Sequence, residues 1–278
     1  MVLRLNAVSW GAETPTAVLL HGLGDGAFVW SHIAPVLAAR MTVAAVELRG
    51  HGDSPHDPQA LYEPETYARD VLEAIRFHGW GSPIVLIGHS LGASVAIHVA
   101  SMAREIVRGL VLVDGGPGLD PDTSYYICQQ FLTQPWFYDS VASFATGLER
   151  RHPLSDPKLL HDIAEQALRP LQSGGYELKC DRQLLSHADA SDDALLWDRM
   201  RSFKGPVLVV RGGVSALLPR RSAARMVNEL PDCRVHTVPG AGHAVMLDNP
   251  AHLLLALEKF LSKICSKPRV YEGARPFS

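Results

Sequence analysis

The residues Gly88-His89-Ser90-Leu91-Gly92 carry the densest chemistry in the chain. A Gly-x-Ser-x-Gly pentapeptide holds a serine on a sharp strand-to-helix turn, its hydroxyl exposed and a helix N-terminus beneath it. The glycines are needed because strand and helix approach too closely there for side chains. Partial positive charge at the helix end favours an oxyanion at the same place. A serine hydroxyl is a poor nucleophile near neutral pH, so a base must take its proton and a third group must orient that base. Among 13 histidines, His243 suits the base, because Gly240-Ala241-Gly242-His243 forms a flexible turn between a strand-like run at 235–238 and a final helical stretch. The oxyanion needs backbone N–H donors, each worth about 10² to 10³ in turnover. Leu91 supplies one by its place after the serine. The loop His21-Gly22-Leu23-Gly24-Asp25-Gly26 offers the other at Leu23, or else at Gly24, with His21 shaping the loop. The plainer reading of Ser90, a serine capping a helix in a glycine-rich turn, does not account for the rest of this constellation.

The elements that must position these groups are those of an α/β fold. Aliphatic runs without polar alternation occur at 17–20, 43–46, 84–87, 110–113 and 207–210, as expected of parallel strands covered on both faces. Between them lie helical stripes: Tyr67, Val71, Leu72 and Ile75; Val95, Val99 and Met102; and, near the end, Leu253, Leu254, Leu257, Phe260 and Leu261. All three stripes are expected to face a core. Pro64 and Pro250 stand at helix starts, where a missing N–H costs nothing. From about 118 to 203 the strand rhythm stops and helical periodicity takes over, as at Leu159, Leu160, Ile163 and Leu168. This divides the chain into a core of 1–117 and 204–265, a helical lid at 118–203, and a tail at 266–278 expected to be poorly ordered. Seven of the 20 aromatic residues fall between 125 and 144, including Tyr126, Trp136 and Phe137. They suit either a small core for the lid or the lining of an apolar substrate pocket.

Composition narrows the function classes. Lys plus Arg number 26 against 29 Asp plus Glu, for a net charge of -3, which argues against a polybasic nucleic-acid surface. No apolar run reaches the roughly 18 to 20 residues of a membrane span, and the opening residues carry no leader pattern, so the expected compartment is the cytoplasm. Cys128, Cys180, Cys233 and Cys265 are scattered and read as reduced core thiols. His51, Asp53, His56 and Asp57 crowd one loop but match no zinc spacing, so no metal is assigned.

In four pieces the sequence resembles the α/β-hydrolase superfamily, in its lid-bearing branch. They are Leu20-His21-Gly22, the run Leu48-Arg49-Gly50-His51-Gly52-Asp53-Ser54, Gly88-His89-Ser90-Leu91-Gly92, and Gly240-Ala241-Gly242-His243. The resemblance implies an eight-stranded, mostly parallel sheet with helices on both faces and a helical lid inserted after strand six. It also implies no cofactor and hydrolysis of an ester, thioester, lactone or C–C bond. One position departs from the pattern. The family acid usually follows strand seven, 28 residues ahead of the histidine, where this chain has Ser215 followed by Ala216. Some members, haloalkane dehalogenases among them, supply the acid from the end of strand six, and here Asp114 ends the run 110–113. Asp114 is therefore the expected acid. The alternatives are orientation of the histidine by Ser215, a water or a lid residue, with Asp248 read as an acid near the start of the last helix. The expected activity is hydrolysis of an apolar small-molecule ester, thioester or lactone through an acyl-enzyme on Ser90. No cluster of basic residues argues for a highly anionic substrate, and no nucleic acid or membrane partner is expected. The competing readings are a C–C bond hydrolase acting on a ring-cleavage product, and a non-hydrolytic ligand binder or lyase on the same fold.

Overall fold

The computed structural model describes residues 3–80, 83–185 and 192–265. Its centre is a seven-stranded sheet formed by β1 (Ala7–Trp10), β2 (Ala17–Leu20), β3 (Val43–Val46), β4 (Ile84–His89), β5 (Val107–Val113), β9 (Val207–Gly212) and β10 (Cys233–Val238). Their order is β1-β3-β2-β4-β5-β9-β10. All neighbours are parallel except β1, which pairs antiparallel with β3. Among the described residues this is one strand fewer than the eight expected. The segment ahead of β1 adds no ladder because the backbone of Asn6 is already used: its N–H donates to Ser54 Oγ and its carbonyl accepts from Glu47 N.

The aliphatic strands alternate between two cores. Ala17, Leu19, Val85, Ile87, Val111, Val113, Leu208 and Val210 face one layer, built from α1 (Ala34–Leu37) and α10 (Pro250–Cys265). Val18, Leu20, Ile84, Leu86, Leu110, Leu112, Val207 and Val209 face the other, built from α2 (Pro64–Phe77), α3 (Leu91–Met102) and α8 (Arg220–Glu229). A period of two with both faces apolar is what a doubly covered parallel strand demands. The helical stripes face these layers with one exception: Val95 and Val99 are fully buried, but Met102 is 38% exposed where α3 ends.

Between β5 and β9 the chain forms α4 (Pro121–Thr133), β6 (Phe137–Tyr138), α5 (Val141–Arg151), α6 (Pro157–Ala167), β7 (Leu168–Pro170), β8 (Tyr176–Leu178) and α7 (Asp193–Ser202). Each of these four helices starts at a side-chain cap: Asp120, Ser140, Asp156 and Asp192 accept from backbone N–H groups of the first turn. The segment is not purely helical, since β6, β8 and β7 form a small antiparallel sheet. Nor does it all stand apart from the core: Leu196, Trp197 and Met200 of α7 belong to the same cluster as α2 and α3. The aromatic residues divide as well, with Phe131 and Phe144 buried while Tyr125, Tyr126 and Phe137 are exposed.

Cys128, Cys180 and Cys233 are free thiols, of which only Cys180 is buried. The side chain of Cys265 and the tail 266–278 lie outside the described residues. Among the described residues no helix is long and apolar enough to cross a membrane.

Two buried polar devices fix the loops at the carboxyl edge of the sheet. Glu47 accepts from Asn6 Nδ2, Ala27 N and Asp53 N at 2.8, 3.1 and 2.7 Å, joining the amino-terminal segment to the loops after β2 and β3. His21 Nδ1 donates to the Gly22 carbonyl at 2.8 Å while Nε2 accepts from Leu48 N at 3.0 Å. An imidazole that accepts at one nitrogen must be neutral, and burial pushes His21 down to about 4. His51, whose ring lies 4.9 Å from that of His21, is held well below its ordinary value, by burial first and by His21 second. His98 on α3 accepts from the Arg199 guanidinium, and burial, then that cation, lowers it to about 4.

In the unfolded chain all three take up a proton near pH 6.5, so their contribution is complete above that pH and is lost as the pH falls through their lowered folded-state values. The shifts act in the same direction, so stability rises with pH across that window. Asp25, pushed up to about 6, opposes with a slope of one group. Denaturant unfolding at pH 7.5 and pH 5 is expected to show lower stability at the lower pH, and equal stability at the two would overturn this account.

Candidate active site

The sheet register brings the two key strand ends side by side. His89 pairs with Val113, so Ser90 and Asp114 emerge together at the carboxyl edge. Ser90 N–H donates to the Val113 carbonyl at 3.1 Å and Asp114 N–H to the Val210 carbonyl at 2.7 Å, continuing the ladder past the last paired residues. Both residues have left-handed backbones, Ser90 at φ 53° and Asp114 at φ 44°, and Ala60 is the only other such non-glycine among the described residues. Such geometry costs about 1 to 3 kcal/mol and persists only where its surroundings enforce it. Here the enforcement is visible. A Cβ on Gly88 would lie 2.1 Å from the Gly92 carbonyl oxygen, and one on Gly92 would lie 2.4 Å from that of Leu20. The strand, the turn and α3 are thus pressed together, and α3 is pressed against the end of β2.

Asp114 is fully buried and accepts three hydrogen bonds. Oδ2 receives His243 Nδ1 at 2.9 Å and Ser215 Oγ at 2.5 Å, while Oδ1 receives Gly212 N at 3.0 Å. The carboxylate therefore sits at the end of β5, beside the slot that Ser215 occupies, and the serine supports the acid as a donor. With Nδ1 bonded to a carboxylate, the neutral imidazole carries its proton there and leaves Nε2 free to accept. The His243 side chain is 27% exposed, so it remains reachable.

Asp248 lies two residues before the last helix, as expected, where it ends the short helix α9 (Val245–Asp248), but its carboxylate is turned to other partners. Its Oδ2 accepts from Gly242 N at 2.8 Å and its Oδ1 from Ser155 Oγ at 2.6 Å, so it clamps the turn before His243 to the loop between α5 and α6.

The two loops expected to supply N–H donors lie against each other. The Leu20 and His21 carbonyls abut Gly92, next to Leu91, and the chain runs on through Gly22 to Leu23. Leu23 packs against a satellite cluster of Phe131, Cys180 and Leu184, to which Trp136 also belongs. Trp136 stacks edge-on to Phe131 at 5.3 Å. Phe137 and Tyr126 do not join this cluster: they are 55% and 61% exposed, Phe137 lying under the Arg182 guanidinium and Tyr126 accepting from Gln130 Nε2. Of the three aromatic residues expected to line a pocket, only Trp136 is placed beside the loop that carries Leu23.

Further residues at the site carry no sequence signal of their own. His89, inside the serine motif, donates from Nε2 to the His243 carbonyl at 3.0 Å, and their rings lie 4.6 Å apart. Burial, then the charge of His243, holds His89 well below its ordinary value. Its Nδ1 is buried without a hydrogen-bond partner, 4.0 Å from Asp25 Oδ2. Asp25 keeps about a third of its side-chain surface open, yet the protein around it withholds enough solvent to push its carboxyl up to about 6, against the lowering effects of His243 and Arg151. His152 is lowered to about 4 by burial, then by Arg151 and His243. A cation, Arg151, thus enters a neighbourhood where sequence reading expects no basic cluster.

The crowded loop after β3 disperses its polar groups. His51 bonds the Arg49 carbonyl, Asp53 pairs with Lys179, Asp57 pairs with Arg49, and His56 bonds the Lys179 carbonyl. Among the described residues no group of three His, Cys, Asp or Glu side chains is arranged to hold a metal ion.

Comparison with known proteins identifies the family. The family model described as the alpha/beta hydrolase family matches residues 17–257. The chain is 28% identical over 247 residues to a 2-(acetamidomethylene)succinate hydrolase of Mesorhizobium japonicum, covering 89% of this chain and 88% of that protein. It is 28% identical over 256 residues to an esterase of Mycobacterium tuberculosis, covering 90% and 84%. A crystal structure of an E-2-(acetamidomethylene)succinate hydrolase superposes with a TM-score of 0.84 at 27% identity, covering 94% of this chain and 96% of that one. With the family matched over most of its length and the fold in common, this chain belongs to the alpha/beta hydrolase family and is a hydrolase.

Proposed function

We propose that the protein hydrolyses a carboxylic ester, thioester or lactone of a small molecule through an acyl-enzyme on Ser90. The observation that carries this reading is the 2.9 Å bond from His243 Nδ1 to the buried Asp114 carboxylate, beside a serine in strained turn geometry. Nε2 of His243 takes the Ser90 proton as Oγ attacks the carbonyl carbon. The resulting oxyanion is held by the N–H groups of Leu91 and Leu23 at the helix end. The protonated imidazole passes its proton to the leaving oxygen or sulfur, which departs. Water then enters, His243 takes its proton, and attack on the acyl carbon releases the acid and frees Ser90. Asp114 keeps the imidazole in the productive tautomer and stabilises its charged form. Ser215 and Gly212 are supporting donors to that acid. The helical segment at 118–203 serves as a lid, and the cluster of Phe131, Trp136 and Leu184 next to Leu23 supports recognition of an apolar group. Relatives named as an esterase and as a succinate-derivative hydrolase are in keeping with acyl chemistry.

The reading is tested first with a serine-directed fluorophosphonate. The folded protein is expected to label, and Ser90→Ala to abolish labelling; a folded wild type that does not label supports a binder or lyase instead. Turnover of p-nitrophenyl esters of increasing chain length then maps the acyl pocket.

Asp114→Asn is expected to lower kcat by about 10³ to 10⁴ with folding intact, because the imidazole loses its set tautomer. Ser215→Ala removes one hydrogen bond to a charged group, a loss of about 1.5 to 3 kcal/mol, and is expected to slow turnover roughly tenfold to a hundredfold. If the serine variant is the more damaged of the two, Asp114 is not the orienting acid.

A further inference from the structure

The loop that follows α5 is fastened to the loop that carries His243. Ser155 Oγ reaches Asp248 Oδ1 at 2.6 Å, and Asp248 Oδ2 holds Gly242 N at 2.8 Å. A Cβ on Gly242 would stand 3.7 Å from Leu154 Cδ1. Arg151 closes α5 three residues before Leu154 and is half-buried. One of its terminal nitrogens donates to Gln134 Oε1 at 2.9 Å, and the guanidinium lies 5.7 Å from the centre of the Phe144 ring.

The guanidinium forms no ion pair: among the described residues no carboxylate lies within 4.0 Å of it, whereas Arg49 is paired with Asp70 and Asp57, Arg199 with Glu65, and Arg211 with four backbone carbonyl groups. A guanidinium offers five N–H donors, and one of these is used. After burial, the groups that act on it are Tyr138 first, then Asp25 and Cys180; Asp25 also feels His243, so Arg151, Asp25 and His243 share one electrostatic neighbourhood. Asp25 is a poor counter-ion, because burial already resists its negative charge. Burial likewise pushes the Arg151 guanidinium below its ordinary value.

Resting on the hydrolase reading above, we propose that the substrate carries a free carboxylate besides the bond that is cleaved, and that Arg151, steadied by Gln134, binds it. A planar guanidinium with a forked set of donors matches a carboxylate in shape, and a single positive charge outside any ion pair suits a monoanion. Arg151 is thus a substrate-binding residue that sets specificity, while the apolar cluster beside Leu23 receives the remainder of the molecule.

The experiment compares mono-p-nitrophenyl esters of succinic, glutaric and adipic acid with neutral p-nitrophenyl alkanoates of matched chain length. Wild type is expected to favour the acid-bearing ester at one or more lengths by at least tenfold in kcat/KM. Arg151→Met is expected to lower that value at least thirtyfold, chiefly through KM, while changing the neutral ester less than threefold; Arg151→Lys is expected to recover part of the preference. Preference for neutral esters at every length overturns the proposal, as does an equal loss on both classes in Arg151→Met. A second measurement does not need turnover: titration calorimetry of monomethyl succinate, glutarate and adipate into Ser90→Ala, with and without Arg151→Met. Binding that vanishes with Arg151 supports the carboxylate site even if no ester is cleaved and fluorophosphonate fails to label, in which case only the acyl-enzyme reading on Ser90 falls. Absence of binding at all three lengths refutes the site.

Discussion

The arrangement at this site depends on one buried anion. A carboxylate withdrawn from water is costly unless its oxygens are met by donors, and Asp114, with no exposed surface, is met by three of them from two other stretches of chain. Gly212 ends β9, Ser215 lies in the loop beyond it, and His243 lies in the loop after β10. Satisfying the anion therefore fixes the relative positions of three loops at the carboxyl edge of the sheet. The same requirement sets the tautomer of His243, since only a protonated Nδ1 can bond a carboxylate. A demand of electrostatics is met as a demand of geometry, and the left-handed backbone at Asp114 is where its cost is held.

The exchange of acid and hydroxyl between positions 114 and 215 follows from the sheet order. β5 and β9 are adjacent and parallel, and Val113 pairs with Val210, so their carboxyl ends open onto the same space. A histidine loop descending beside them can be reached from either strand end. In this chain the carboxylate comes from β5 and the hydroxyl from the loop after β9, and the two side chains bond each other. Ser215 is thus part of the carboxylate's hydrogen-bond shell. The tight approach of the histidine loop requires Gly212, where a Cβ would stand 1.9 Å from the Gly242 carbonyl oxygen.

Much of this frame was legible in the sequence because it is local. Five aliphatic runs became β2, β3, β4, β5 and β9, since strands covered on both faces must be apolar at every position. The serine turn announces itself because its glycines answer a steric demand within five residues. What stayed hidden was short or distant. β1 alternates weakly over four residues at an edge, and β6, β7 and β8 are two or three residues long, below the reach of any periodicity. Glu47 looks like an ordinary end-of-strand charge until three donors from separate segments are seen to converge on it. Asp248 has the spacing of a helix-start acid, and only the fold shows Ser155, 93 residues away, as its partner. Arg151 ends a capped helix with another arginine beside it, a pattern that the helix dipole alone explains.

The segment between β5 and β9 is bound to the core unevenly, and this asymmetry bears on how the site is enclosed. α6 buries five of its 11 residues, and these merge with the core layer that holds Trp30 and Ile87. The loop joining α5 to α6 is tied through Asp248 to the turn that carries His243. α7 lies on α3 as a member of the opposite layer. α4 differs: of its 13 residues only Phe131 is buried, and that ring rests over Gly24 and beside Leu23. The local free energy of opening scales with the apolar contact that must be given up, so within this segment α4 is the helix released at least cost. The roof of the site accordingly has a firm side, which carries Arg151 and positions His243, and a lightly held side over the loop of Leu23. On the reading proposed above, the substrate's carboxylate is met on the part that stays in place and its apolar groups on the part that yields.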